Sequence, residues 1–273
     1  MRLVSDRPLI FGVLNVTPDS FSDGGRFLDA GAAIAMARAL RSDGADVIDI
    51  GGESTRPGAE RVSPQLELDR VMPVIEALVP LGMQLSIDTM RASTARAAIA
   101  AGVQIVNDVS GGLADPEMAA TVADSDARFV AMHWRGHSRE MDALTDYRDV
   151  VTEVRDELAG RVAALEAAGI SRERLVLDPG LGFAKTAEQS WQLLANTQVL
   201  AELGLPLLVG ASRKRLLAGV LAADAPVRER DLPTALLSAL LAERGVWAVR
   251  VHDVASTRTA LNVVETWQTH ARG

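Results

Sequence analysis

The chain has 273 residues, 48% of them hydrophobic and 23% charged, which is the composition of a soluble globular protein, and its length suits one domain over 1–273. A net charge of −8 with no offsetting basic run argues against a nucleic-acid partner, and no apolar stretch approaches the ~20 residues that span a bilayer. The absence of cysteine excludes disulfides and thiolate chemistry, and the N-terminus shows no secretory cleavage pattern, so a cytoplasmic protein is expected.

The first apolar run, LIFGVLNV, reads as a strand ending at Asn15 and opens into a long loop, NVTPDSFSDGGRF. A helix is predicted over 29–42, then a strand in DVIDIGGEST ending near Glu53, then a second long loop, GGESTRPGAERVSP. Ser63-Pro64 supplies an N-cap and a first-turn proline for a helix over 64–80. QLSIDT ends at Asp88 before a helix over 92–101, and IVNDVSGG ends at Asn107 before a helix over 115–125, with its cap expected at Asp115-Pro116. FVAMH ends at His133 before a helix over 146–168, and LVLDPGLGF ends at Asp178 before a helix over 187–203. PLLVGASRK carries Lys214 into a helical region over 212–243, broken near Pro226 and Pro233. AVRVHD supplies Arg250 and His252, alternating onto one side, before a last helix over 254–270. Gly82, Gly102, Gly169 and Gly204 each follow a helical run as a C-terminal cap would.

Eight strand–helix repeats predict an α/β fold of one kind, a single (β/α)8 TIM barrel with its active site at the C-terminal ends of the strands. The polar residues that end the strands then converge on one mouth, and the two long loops become candidate lids. Asp88, Asn107 and Asp178 together can read a planar heterocycle, since a carboxylate takes two parallel N–H bonds and an amide both donates and accepts. The same trio could bind a divalent metal or cap the following helices. Lys214 can donate to a carbonyl or ring nitrogen, or form a Schiff base. Gly210, Ala211 and Ser212 are placed at a helix start, where free N–H groups attract a carboxylate or phosphate. Arg250, His252, Arg56 and Asn15 would make a rim for a phosphorylated group. Met132 and Phe183 are read as apolar walls, and His133 as a structural residue outside the catalytic set. Only two lysines occur against 26 arginines, Lys185 and Lys214, and both follow strand ends.

NVTPDSFSDGG, DIGGESTRPGA, SIDTMR, NDVSGG, DPGLGFAK, GASRK and RVHDV resemble, in order and spacing, the motifs of the dihydropteroate synthase family. The resemblance runs from about Ile10 to Val254, and the chain's Arg- and Ala-rich composition is similar to that of actinobacterial members. It implies a barrel enzyme that joins (7,8-dihydropterin-6-yl)methyl diphosphate to 4-aminobenzoate in folate synthesis and is a sulfonamide target. It further implies that Asp88, Asn107, Asp178 and Lys214 hold the pterin between Met132 and Phe183. Thr55, Arg56, Arg250 and His252 would contact the diphosphate, and Asn15 would help bind Mg²⁺. Ser212, Arg213, Phe21 and Pro57 would surround 4-aminobenzoate. Asp88, Asp178, Lys214, Arg250 and His252 form the implied catalytic set, in a homodimer built on the later helices. A pterin-dependent methyltransferase, a Schiff-base aldolase and a non-catalytic pterin binder are the alternatives.

Overall fold

Runs of Val, Ile and Leu buried on both faces form eight parallel strands in the computed structural model, which describes residues 7–17, 30–54, 61–137 and 141–271. The strands are β1 (Leu9–Asn15), β2 (Val47–Gly51), β3 (Leu85–Asp88), β4 (Ile105–Asp108), β5 (Arg128–Met132), β6 (Leu175–Asp178), β7 (Leu208–Val209) and β8 (Ala248–Val251). They pair in the order β6-β5-β4-β3-β2-β1-β8-β7, and a parallel bridge from Leu177 to Leu207 closes β6 onto β7. The predicted barrel is therefore the observed one.

Helices alternate with the strands: α1 (Ala30–Ser42), α2 (Pro64–Leu78), α3 (Ala92–Ala100), α4 (Met118–Ala123), α5 (Val150–Ala167), α6 (Ala187–Ala195), α7 (Thr197–Ala201), α8 (Asp231–Glu243) and α9 (Val254–Ala271). Ser63 Oγ accepts from Leu66 N, as its capping role predicts. Gly82, Gly102, Gly169 and Gly204 all have positive φ, the conformation a helix-ending glycine supplies. Asp115 caps the turn that leads into α4, its Oδ1 accepting from Glu117 N at 3.0 Å and its carbonyl from Met118 N at 3.1 Å, while its Oδ2 also takes Ala92 N at the start of α3. The predicted helix at 212 is absent, because Arg213 is left-handed (φ 60°) and the first helical residues after β7 form a 3-10 turn over Arg215–Val220. Pro233 lies in the first turn of α8, where a missing N–H costs nothing, so it does not break that helix.

Two cores follow from strand alternation. The larger lies between strands and helices, and a small one fills the barrel with Leu9, Phe11, Val47, Ile105, Val130, Val176, Leu208 and Ala248. Side chains two residues apart share a face, so the next inward position on each strand is fixed by this plug. Those positions are Asp49 after Val47, Asn107 after Ile105, Met132 after Val130, Asp178 after Val176, Gly210 after Leu208 and Arg250 after Ala248. The apolar plug thus ends in a polar layer, which is the floor of the mouth.

Candidate active site

On one side of the floor, three strands bring two acids and one guanidinium together. Arg250 Nε donates to Asp49 Oδ2 at 2.5 Å and its Nη2 to Asp88 Oδ2 at 2.6 Å. Asn107 Nδ2 donates to the same Asp49 oxygen at 3.1 Å. A carboxylate only accepts, so this bond fixes the amide with its nitrogen toward Asp49 and its Oδ1 toward other partners. Burial and the neighbouring Asp49 charge push Asp88 up to about 7 despite the opposing pull of Arg250. Burial lowers the Arg250 guanidinium, but Asp49 and Asp88 more than reverse this and raise it above its ordinary value. One positive charge cannot compensate two buried acids, so once Asp88 ionises, above about pH 7, this half of the floor carries an excess negative charge.

Asp49 was not singled out from the sequence, where it sat inside the apolar run VIDIG. The signal was present in its parity: it follows the inward Val47 by two residues. Asp49 is fully buried, and its Oδ1 has no hydrogen-bond partner among the described residues. Arg250 lies in the floor with the acids, rather than among the cations at the lip as expected, because Asp49 and Asp88 draw it down.

Across the barrel, Asp178 Oδ1 accepts from Gly180 N at 2.7 Å. Burial raises its carboxyl above the usual range, opposed by Lys214 and this bond. Lys214 Nζ donates to Leu181 O at 2.6 Å and stands 4.9 Å from the centre of the Phe183 ring. Its pKa falls to about 8, chiefly through desolvation, with Asp178 holding it up. Met132 is buried beside Asp178, its strand partner. Asp88, Asn107, Met132, Asp178, Phe183 and Lys214 are thus gathered at one mouth, as the sequence reading expects, with Arg250 drawn in among them.

Toward the rim, Ser212 Oγ and His252 Nδ1 are 2.9 Å apart, and His252 N donates to the same hydroxyl at 3.2 Å. Arg213 forks onto Asp231 with two 2.8 Å bonds, so its charge is directed to the start of α8. Glu53, expected at the mouth, turns instead to the loop stem, taking Val62 N at 2.9 Å and pairing with Arg61 and Arg91. His133 has the partners of a structural residue, Glu157 on Nε2 and Lys185 on Nδ1. Asn15 ends β1 facing Gly51. Phe21, Thr55, Arg56 and Pro57 lie outside the described residues. Among the described residues no three His, Cys, Asp or Glu side chains are grouped to hold a metal ion.

Fold and floor define a (β/α)8 barrel whose mouth is lined by buried hydrogen-bond acceptors. The family model described as pterin binding enzyme matches residues 11–252, and the chain belongs to that family. The dihydropteroate synthase of Mycobacterium leprae is 51% identical over 263 residues, covering 94% of this chain and 93% of that protein. The Xanthomonas albilineans dihydropteroate synthase solved with 4-aminobenzoic acid matches with a TM-score of 0.90 at 45% identity, covering 96% of this chain and 94% of that one. The Yersinia pestis dihydropteroate synthase with a sulfonamide drug complex also matches with a TM-score of 0.90, at 39% identity, covering 96% of this chain and 95% of that one.

Proposed function

We propose that the protein is a dihydropteroate synthase, a transferase that joins (7,8-dihydropterin-6-yl)methyl diphosphate to 4-aminobenzoate and releases diphosphate. The observation that carries this reading is the floor itself, where Asp49, Asp88, Asn107 and Asp178 surround a single mouth with Arg250 and Lys214. Asp178 accepts the paired N–H groups of the pterin edge, Asn107 Oδ1 takes a ring donor, and Lys214 donates to a ring acceptor. Met132 and Phe183 enclose the ring.

The dihydropterin ring can push electrons toward its methylene carbon, so the C–O bond to diphosphate breaks before nitrogen attacks. The excess negative charge of the floor favours the cation that forms, because ionised acids in a dry site are weakly screened. The arylamine is neutral near pH 7 and needs orientation more than activation. Ser212, with Phe21 and Pro57, holds the aminobenzoate, and the carboxylate is received by the Ser212 hydroxyl and turn rather than by a helix start. Arg213 supports this turn through Asp231. His252, Thr55, Arg56 and the remaining N–H groups of Arg250 engage the diphosphate. A sulfonamide competes for the aminobenzoate position.

Asn15 offers one neutral oxygen, which cannot retain a divalent cation alone. It does suit a Mg²⁺ that arrives on a diphosphate and keeps phosphate and water oxygens as its other ligands. Bound there, the ion would neutralise charge on the leaving group. We also infer a homodimer through α8 and α9, where Leu232, Leu236 and Leu240 form one exposed face beside Val263 and Trp267. Sedimentation of Leu236→Glu against the unaltered protein tests that face. No helix among the described residues is long and apolar enough to cross a membrane, and the cysteine-free composition supports a cytoplasmic setting.

Purified protein given the dihydropterin diphosphate, Mg²⁺ and 4-aminobenzoate should form dihydropteroate and diphosphate, detected by mass spectrometry. Absence of both products, with pterin binding intact, would refute the catalytic reading and leave a pterin-binding protein.

A further inference from the structure

Lys185, one of only two lysines, has no part in the chemistry above. The residue is 6% exposed, and its Nζ makes three bonds, to Gly180 O at 3.1 Å, Phe183 O at 3.0 Å and His133 Nδ1 at 2.9 Å. Burial lowers Lys185 to about 7, but the Glu157 carboxylate only accepts, so a neutral His133 must hold its proton on the nitrogen facing Glu157 and leave Nδ1 free to accept from Lys185 Nζ. His133 then carries its proton on Nε2, where Glu157 accepts it at 2.9 Å. Burial and the adjacent Lys185 charge push the imidazole down to about 4, in keeping with this neutral tautomer. Arg135 holds Glu157 in turn.

The segment grasped by Lys185 joins β6 to α6 through three left-handed residues, Gly180, Gly182 and Ala184. A side chain at Gly180 would place its Cβ 2.4 Å from His133 O, so the loop lies tight against the end of β5. Ala184 adopts φ 49° although it has a Cβ, which requires the surroundings to impose it. Two ammonium groups impose the shape. Lys185 ties Gly180 O and Phe183 O, and Lys214 ties Leu181 O, which lies between them in sequence. The same loop supplies Gly180 N to Asp178 and the Phe183 ring to Lys214.

We propose that Lys185, oriented by His133 and Glu157, is a positioning residue for the dihydropterin, fixing the loop that sets Asp178, Phe183 and Lys214 around the ring without touching it. The inference rests on the function proposed above for the site that these three residues share. It predicts a split between the substrates, because the loop bonds Asp178 and Lys214, which are assigned to the pterin, rather than Ser212, which is assigned to the aminobenzoate.

Lys185→Met keeps the stem and removes the three donors. It should raise both the KM for the dihydropterin diphosphate and the Kd for 6-hydroxymethylpterin, read by fluorescence titration, about tenfold or more, with the KM for 4-aminobenzoate within about twofold. His133→Leu should behave likewise. His133→Asn, whose Oδ1 can stand near the position of Nδ1, should stay within about threefold of the unaltered protein, a rescue that simple packing would not give. Pterin affinity unchanged in Lys185→Met, or Asn no better than Leu at position 133, overturns the proposal. Should Lys185→Met not fold, the His133 pair decides alone. The pterin titration needs no turnover, so failure of the proposed reaction would be seen separately, as an unaltered protein that binds pterin but forms no dihydropteroate.

Discussion

On the β2, β3 and β8 side of the floor, Asp49 and Asp88 are bound to Arg250 before any ligand arrives, and Asn107 is bound to Asp49. On the β6 and β7 side, Asp178 has a backbone donor on one oxygen, while Lys214 is turned toward Leu181 O rather than bonded to the acid. The first half is a cross-linked framework in which every charge has a charged neighbour in contact. The second is a pair of buried charges at longer range, whose hydrogen-bonding capacity is kept for something else. Burying an acid is unfavourable unless it is paired, so the contrast separates residues that hold the floor's shape from those that read a ligand.

The largest effect that sharpens this contrast is expected on the framework side. Arg250→Ala leaves Asp49 and Asp88 buried with no positive charge in contact, and breaking a buried pair in this way costs about 3–5 kcal/mol of stability. Urea unfolding should show that loss together with reduced turnover; a variant as stable as the parent would break the distinction. Asp178→Ala should do the reverse. Removing an acceptor of two charged bonds, each worth roughly 1.5–3 kcal/mol, weakens pterin affinity by about 100-fold or more. Its loss of stability should be smaller than that of Arg250→Ala in the same urea series.

A subtler effect concerns pH. Asp88 is held up to about 7, from an unperturbed 3.8, by burial and by Asp49, with Arg250 opposing. The folded state therefore binds that proton more tightly than the unfolded chain, so this group's contribution to stability is present at low pH and is lost as pH rises from about 4 through 7. Ionised Asp88 adds negative charge behind the N–H groups held by Asp178 and Asn107, so pterin affinity should tighten several-fold between about pH 6 and pH 8. Titrating pterin fluorescence at both pH values checks this, and Asp88→Asn should flatten the dependence.

Local regularity made the barrel legible. Short β-branched runs, capped helices such as the one begun by Ser63, and glycines at helix ends announce their conformation within a few residues. The strand-end polar residues were legible for the same reason, because parity along a strand fixes which face a side chain takes. Asp49 escaped notice because it interrupts an apolar run instead of ending it. Glu53 was misplaced for another reason. An acidic side chain can satisfy whichever N–H group comes near it, and here this was Val62 N.

The eight-fold repeat, the mouth toward which the polar residues point and the motifs of a pterin-binding barrel are all written along the chain. How the charges are shared emerges only on folding: Arg250 between two acids, Arg213 to Asp231, Lys185 to His133 and a loop. Backbone periodicity is local and can be read in order along the chain. Charge pairing depends on which long side chains meet across the barrel, as Arg250 and Asp49 do from 201 residues apart, and no local pattern records that encounter.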